Sequence, residues 1–127
     1  MDESFCYVTT KGRVTGNPHE IEIWFVVSDG ALFLMAEGGE RADWVRNMRA
    51  DSAVKVRLAQ TEFDAVAHPA PTDVDEDSIR RAMAAKYQGW EEGAELSDWA
   101  KTALLVRLTP AQGHLTLFLL AKTKKVC

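Results

Sequence analysis

His19-Glu20-Ile21-Glu22-Ile23-Trp24-Phe25-Val26-Val27-Ser28-Asp29-Gly30-Ala31-Leu32-Phe33-Leu34-Met35-Ala36 is the stretch on which the fold turns. Ile21, Ile23 and Phe25 alternate with Glu20, Glu22, Trp24 and Val26, the two-residue period of a strand whose faces differ. Asp29-Gly30 then offers the residue pair that a tight hairpin turn demands, and Ala31 to Ala36 reads as the returning strand. An antiparallel hairpin of His19–Val27 and Ala31–Ala36 is therefore expected. Upstream, Phe5 to Thr10 is β-branched and aromatic and stops at Lys11-Gly12-Arg13 and Gly16-Asn17-Pro18, both strong turn signals. It reads as a strand entering a polar, glycine-punctuated connection.

Downstream, Glu37-Gly38-Gly39-Glu40 breaks the pattern, and Trp44, Val45 and Met48 mark one side of a short helix ending near Asp51. Val54, Val56 and Leu58 alternate with Lys55 and Arg57. A further strand covers Glu62 to His68 and is stopped by Pro69 and Pro71. Thr72, Asp73 and Asp75 are N-cap candidates for a second helix, acidic in its first turn as the helix dipole favours. Ile79, Met83 and Tyr87 recur at four-residue steps and give that helix one buried face. Gly89 and Gly93 loosen the chain around Trp90, and Leu96 to Lys101 reads as a last turn of helix. Leu104–Leu108 and Leu115–Ala121 read as strands around a turn at Pro110–Gly113.

About six strands with two inserted helices make an α+β, mainly β chain, closed as an antiparallel barrel. At 127 residues it is one domain spanning 1–127, without an internal repeat or linker. The last strand is apolar on both faces: Leu115, Leu117 and Leu119 on one, Phe118 and Leu120 on the other. A small barrel accommodates that only beneath a helix or a second subunit, so a homodimer is expected.

Composition narrows the function classes. Lys plus Arg is 15 against Asp plus Glu 19, a formal charge of −4, which argues against nucleic acid or anionic lipid as the main partner. Cys6 and Cys127 stand at the extremes of the chain and make no disulfide framework, so a reducing cytoplasm is expected. The acidic N-terminus leads into no apolar core of a secretory signal. The run Leu117–Ala121 is far shorter than the ~20 residues of a membrane helix. His19, His68 and His114 lie far apart without metal-ligand spacing, so no metal site is expected. Glycine patterns of the Walker and Rossmann type are absent, as is a Gly-x-Ser-x-Gly nucleophile turn.

Two polar connections remain. Lys11-Gly12-Arg13-Val14-Thr15-Gly16 combines cations, hydroxyls and glycines that let backbone N–H groups approach an anion. Glu37-Gly38-Gly39-Glu40-Arg41 opens a helix, whose free N–H groups and positive dipole end favour a phosphate. Each by itself equally describes an ordinary turn. Trp24, Trp44, Tyr87 and Trp90 are flat surfaces that serve either as core or as walls for a fused-ring ligand. Trp24 stands out because it shares a strand face with Glu20 and Glu22.

In order, Thr9-Thr10-Lys11-Gly12-Arg13-Val14-Thr15-Gly16-Asn17-Pro18-His19, Trp24-Phe25, Asp29-Gly30 and Ala42-Asp43-Trp44-Val45-Arg46-Asn47-Met48-Arg49-Ala50-Asp51 resemble the deazaflavin-dependent nitroreductase family. That family's pattern is T-T-x-G-R-x-T/S-G-x-P-R, an apolar strand, then W-x-x-N-L-x-A-N-P. A weaker echo follows at Lys86-Tyr87-Gln88-Gly89-Trp90. The resemblance implies the split β-barrel of pyridoxamine-phosphate-oxidase-like flavoproteins, the reduced deazaflavin coenzyme F420, and hydride transfer to quinones, nitro compounds or activated enones. It further implies that Arg13, Thr15, Gly16 and His19 hold the phosphate and glutamate tail. By the same resemblance Ala36, Glu37, Gly38, Gly39 and Arg41 offer backbone contacts, and Trp24 lies beside the ring system. Trp44, Asn47, Tyr87 and Trp90 would form substrate and cofactor walls, with Tyr87 as the catalytic proton donor. The chain departs from the pattern at Val14, where a basic residue is common, and at His19, where the pattern has arginine. A mostly neutral imidazole does not replace a bidentate guanidinium. FMN, with one phosphate, is thus an alternative cofactor, and a non-catalytic pocket for an apolar ligand or heme an alternative function.

Overall fold

Asp29 and Gly30 both adopt positive φ, 51° and 76°, which closes the expected hairpin with a two-residue turn. In this computed structural model, which describes residues 3–111, the flanking strands pair Val26 with Phe33 and Ser28 with Ala31. The upstream arm of the hairpin is shorter than its alternation suggests. His19–Val27 is not one strand but two, Pro18–Ile23 (β2) and Val26–Ser28 (β3), separated at Trp24-Phe25.

The reason is topological. Cys6–Lys11 (β1) pairs with β2, whereas β3 pairs with Ala31–Ala36 (β4). With Ala53–Leu58 (β5), Thr61–Pro69 (β6) and Leu104–Pro110 (β7), the sheet runs β2-β1-β5-β6-β7-β4-β3, every pair antiparallel. Consecutive β2 and β3 are thus its two edges, and the chain passes from one to the other across the split of a curled half-barrel. A strand cannot keep its ladder through such a crossing. The expected alternation survives all the same: Ile21, Ile23 and Phe25 belong to the interior cluster, and Val26 to the cluster on the outer face.

The interior is filled by Val8, Phe25, Leu32, Leu34, Val54, Val56, Leu58, Val106 and Leu108, with Val45 and Met48 of the helix Asp43–Ala50 (α1) packed into it. A second layer covers β3, β4 and β7 from outside. Its helices are Glu76–Gln88 (α2), capped by Asp75 accepting from the Ser78 N–H at 3.1 Å, and Asp98–Thr102 (α3). Ile79, Met83, Ala84 and Ala100 pack there on Phe33, Met35 and Leu105. Every residue of β4 is buried because both of its faces are covered. Arg80 fastens the helices together, bonding Glu76 of its own helix and the Ala100 carbonyl of α3 at 3.0 Å.

Among the described residues there are seven strands and three α-helices, rather than about six and two. The extra strand comes from the break at Trp24-Phe25, and the last helical turn expected at Leu96–Lys101 is α3. The strand expected at Leu115–Ala121, and with it the apolar double face behind the homodimer expectation, lies outside the described residues, as do His114 and Cys127. Cys6 is buried and free. No helix among the described residues is long and apolar enough to cross a membrane, and these residues hold no His/Cys/Asp/Glu group that could bind a metal.

Candidate functional site

The connection between β1 and β2 folds as its glycines dictate. Gly12 donates to the Asn17 carbonyl and Gly16 to the Gly12 carbonyl, both at 2.8 Å, and Gly16 takes φ 79°. A side chain at Gly12 would meet the His19 imidazole at 2.7 Å and the Asn17 carbonyl oxygen at 2.9 Å, so only glycine fits. The loop then reaches across to α1. Asn47, only 4% exposed, donates through Nδ2 to Thr10 Oγ1 at 3.1 Å, and Thr10 is 2% exposed. Asn47 Oδ1 accepts from the Arg13 backbone N–H at 3.2 Å and from Arg13 Nη1 at 2.8 Å. Arg13 Nη2 lies 3.2 Å from Asp43 Oδ1. A buried amide thus latches a surface loop to a helix and aims its guanidinium.

Between loop and helix lies a cleft of about 440 Å³ lined by Gly12, Arg13, Val14, Thr15, His19, Glu20, Ile21, Asp43, Trp44 and Asn47. That lies within the ~300–1,000 Å³ of small-molecule sites. Of the residues singled out in the sequence, Arg13, Thr15, His19, Trp44 and Asn47 meet here. Gly16 lines a separate depression of about 500 Å³ with Lys11, Lys55 and Asp64. Glu37, Gly38, Gly39 and Arg41 do not line the cleft. They form the turn and 3₁₀ segment leading into α1, and Ala36 is buried at the end of β4. The two polar connections therefore meet through α1 rather than face to face. Glu40 of the second one is held by Arg49 at 2.6 Å, and this hydrogen bond keeps its carboxyl below the usual range.

The aromatic residues divide. Trp44 leans on the barrel interior and walls the cleft. Trp24 instead stacks on Tyr87, centroids 4.4 Å apart and planes within 5°, and meets the edge of Trp99 at 5.3 Å. Tyr87 of α2, Trp99 of α3 and Trp90 pack on the outer cluster, and Trp24 meets it through the first two. Trp90 donates to the Ala94 carbonyl at 2.8 Å.

The Tyr87 hydroxyl accepts from the Phe25 N–H and directs its single proton at the carbonyls of Phe25 and Ser4, all at 2.9 Å. Lys86 Nζ reaches the same Phe25 carbonyl at 2.9 Å and sits 3.6 Å from the Phe25 ring centroid. These two side chains supply the hydrogen bonds that the interrupted strand gives up at the β2–β3 crossing. Burial raises the Tyr87 pKa, which keeps the phenol neutral and bonded there. Tyr87 was expected as the candidate proton donor; in this structure its hydroxyl bonds main chain, because the split in the barrel leaves backbone to satisfy. Asn47 lines the cleft as well, but spends its amide on the loop and on Thr10.

Sequence reading assigned no role to four residues. Asp43 sits directly before the aromatic residue of the quoted motif, and Thr10 directly before Lys11. Lys86 opens the short Lys86–Trp90 echo, and Trp99 is the tryptophan left out of the flat-surface set. For Asp43, Thr10 and Lys86 the only signal was their place inside the quoted motifs, which gave them no role, because their partners are 30 or more positions away for Asp43 and Thr10 and about 60 for Lys86.

Compared with known proteins, the chain matches the profile of the F420H(2)-dependent quinone reductases over residues 2–107. No curated protein matches it. Among solved structures it is similar to the F420-H2 dependent reductase FDR-A, at 17% identity over 85% of this chain and 96% of that one, with a TM-score of 0.63. It is similar also to a candidate pyridoxamine 5′-phosphate oxidase from Listeria innocua, at 14% identity over 87% and 86% of the two chains and a TM-score of 0.63. The heme storage protein HutZ from Vibrio cholerae is a further likeness, at 18% identity over 87% and 84% with a TM-score of 0.64. Such identities speak for the split barrel alone. The profile match spans most of the 127 residues, and on that ground the chain belongs to the F420H(2)-dependent quinone reductase family, F420-dependent oxidoreductases.

Proposed function

We propose that this chain reduces small electrophiles, quinones first, by hydride transfer from reduced coenzyme F420, and that it grips the anionic tail of the coenzyme in the cleft between the Gly12–Asn17 loop and α1. The observation that carries this reading is the Arg13–Asn47–Thr10 latch, which holds a guanidinium at the cleft by a buried amide. The donor set suits a phosphate or carboxylate: Arg13, the Thr15 hydroxyl, His19, and the first-turn amides of α1, which no side chain caps. When bound, the coenzyme supplies the hydride. The residues of the chain do the rest: Arg13 fixes the tail, Gly12 lets the loop close against His19 and the Asn17 carbonyl, and Trp44 walls the cleft.

Anaerobic titration with reduced F420 is expected to show saturable binding, and a simple naphthoquinone added to the loaded protein to be reduced. Nitroaromatic and enone acceptors tested beside it rank the acceptor class. Absence of both binding and turnover defeats the proposal. Arg13→Ala is expected to weaken F420 binding by about 1.5–3 kcal/mol, the scale of a charge-assisted hydrogen bond. A change within error places the tail elsewhere.

FMN is the second reading, favoured by a cleft with one guanidinium and two carboxylates, Glu20 and Asp43. Titration with FMN decides between them, and a Soret band on the purified protein would support the heme-binding alternative. Assembly as a homodimer belongs to the same proposal and is checked by sedimentation. Tyr87→Phe is expected to cost about 1–2 kcal/mol of stability, because the Phe25 N–H loses its partner. Urea unfolding reads this. A fall in quinone reduction with stability unchanged would reinstate the hydroxyl as the proton donor.

A further inference from the structure

The corner where the Gly12–Asn17 loop meets α1 draws positive potential from two sources, the Arg13 guanidinium and a helix start without a side-chain cap. One anion already sits there. Asp43, the first residue of α1, holds Oδ1 3.2 Å from Arg13 Nη2, and its carbonyl oxygen lies 3.5 Å from Nη1. The two partners are anchored very differently. Arg13 is held from behind by the buried Asn47 amide at 2.8 Å, and its side chain is 30% exposed. The Asp43 side chain is 84% exposed and, among the described residues, touches no cation but Arg13. Glu20, the other carboxylate of the cleft, is engaged by Arg57 at 3.4 Å and is not placed to take over from Asp43. An incoming anion therefore finds a fixed cation and a loosely held counter-ion.

We propose that Asp43 is the resident counter-ion of this site, and that the anionic tail of the coenzyme binds by displacing the Asp43 carboxylate from Arg13. Asp43 then sets the affinity: it keeps Arg13 oriented while the cleft is empty and opposes every anion that enters. The inference rests on the reading of Arg13 as the tail-binding residue.

The test is a double-mutant cycle on F420 binding, read by fluorescence titration at low ionic strength, with wild type, Asp43→Asn, Arg13→Ala and the double variant. Asp43→Asn is expected to tighten binding roughly twofold to fivefold, the scale of one exposed charge pair, with the gain fading as salt is raised. On the Arg13→Ala background the gain should vanish. Unchanged or weaker binding by Asp43→Asn, while Arg13→Ala still weakens it, overturns the displacement and leaves the tail-binding reading standing. A gain that persists without Arg13 is an effect of net charge and overturns it too. Absence of F420 binding in the wild type, or indifference to Arg13→Ala, defeats the reading of the site and the proposal with it. Asp43→Ser, which keeps a residue favoured at helix starts, repeats the measurement should Asp43→Asn fold poorly.

Discussion

Replacing Asn47 by Ala is expected to lower the folding free energy by about 3 kcal/mol and to weaken F420 binding in the same variant. The first effect follows from burial. Asn47 makes three hydrogen bonds from an almost fully buried position, one of them to a charged group. Truncation strands the Thr10 hydroxyl, itself buried, together with the Arg13 N–H, and each orphaned polar group costs about 1–3 kcal/mol. The second effect follows from geometry. Without the amide, Arg13 keeps only its contact to Asp43 in solvent, which is worth little. Urea unfolding and coenzyme titration on one preparation check both. Asn47→Asp is the informative control: it retains an acceptor for Arg13 but loses the donor to Thr10 and sets a buried carboxylate beside the guanidinium. Stability should fall and coenzyme affinity with it, the affinity loss now arising from a competing charge and not from a released Arg13. Equal stability of Asn47→Ala and the wild type would remove the latch from the account.

Alkaline pH is expected to destabilise the protein through Cys6, beginning near pH 9. The thiol lies in the barrel interior with no exposed surface, and burial pushes its pKa from an ordinary 9.0 up to about 12. Above 9.0 the unfolded chain sheds a proton that the native chain keeps, so stability falls as pH rises and the loss is complete near 12. Three pH units at about 1.36 kcal/mol each set a ceiling of about 4 kcal/mol. Tyr87, raised by burial, adds to the fall above its ordinary value of 10.0. Lys86 works against it: partial burial lowers its pKa below 10.5, so in that window the unfolded chain binds the extra proton and stability rises with pH. Lys86 is exposed along much of its length, and its offset is the smaller. Urea midpoints between pH 8 and 11 should slope downward for the wild type and flatten in Cys6→Ala. Parallel slopes in the two proteins would show that the thiol does not carry the effect.

The Asp-Gly turn, the alternation of Ile21, Ile23 and Phe25, and the Ile79–Met83–Tyr87 stripe were all legible in the chain. Each reflects a local requirement: positive φ in a two-residue turn, or a repeat of two or of about four residues facing one core. The Lys11–Gly16 loop was legible as a candidate anion site for the same reason, since its glycines and cations are neighbours in sequence. The roles of Tyr87 and Asn47 were not. A phenol at the end of an apolar helix stripe looks the same whether its hydroxyl meets a ligand or a backbone. Only the partner, Phe25 at 62 positions' distance for Tyr87 and Arg13 at 34 for Asn47, tells them apart.

Local periodicity and the ordered motif, then, were enough to determine an antiparallel β fold with inserted helices, the family resemblance and the residues of one polar loop. What the tertiary structure alone decided is where that loop goes and what the aromatic residues do. The sheet closes on itself with β2 and β3 at opposite edges, which breaks a strand that looks continuous in sequence. That break exposes the backbone of Phe25 and recruits Tyr87 and Lys86 to it. The same closure puts Trp24 against Tyr87 of α2 and Trp99 of α3 while Arg13 turns to α1. The physical reason is that sequence pattern records which face of an element is buried, whereas the identity of the neighbour is fixed only when distant segments of the chain compete for the same hydrogen bonds and the same volume.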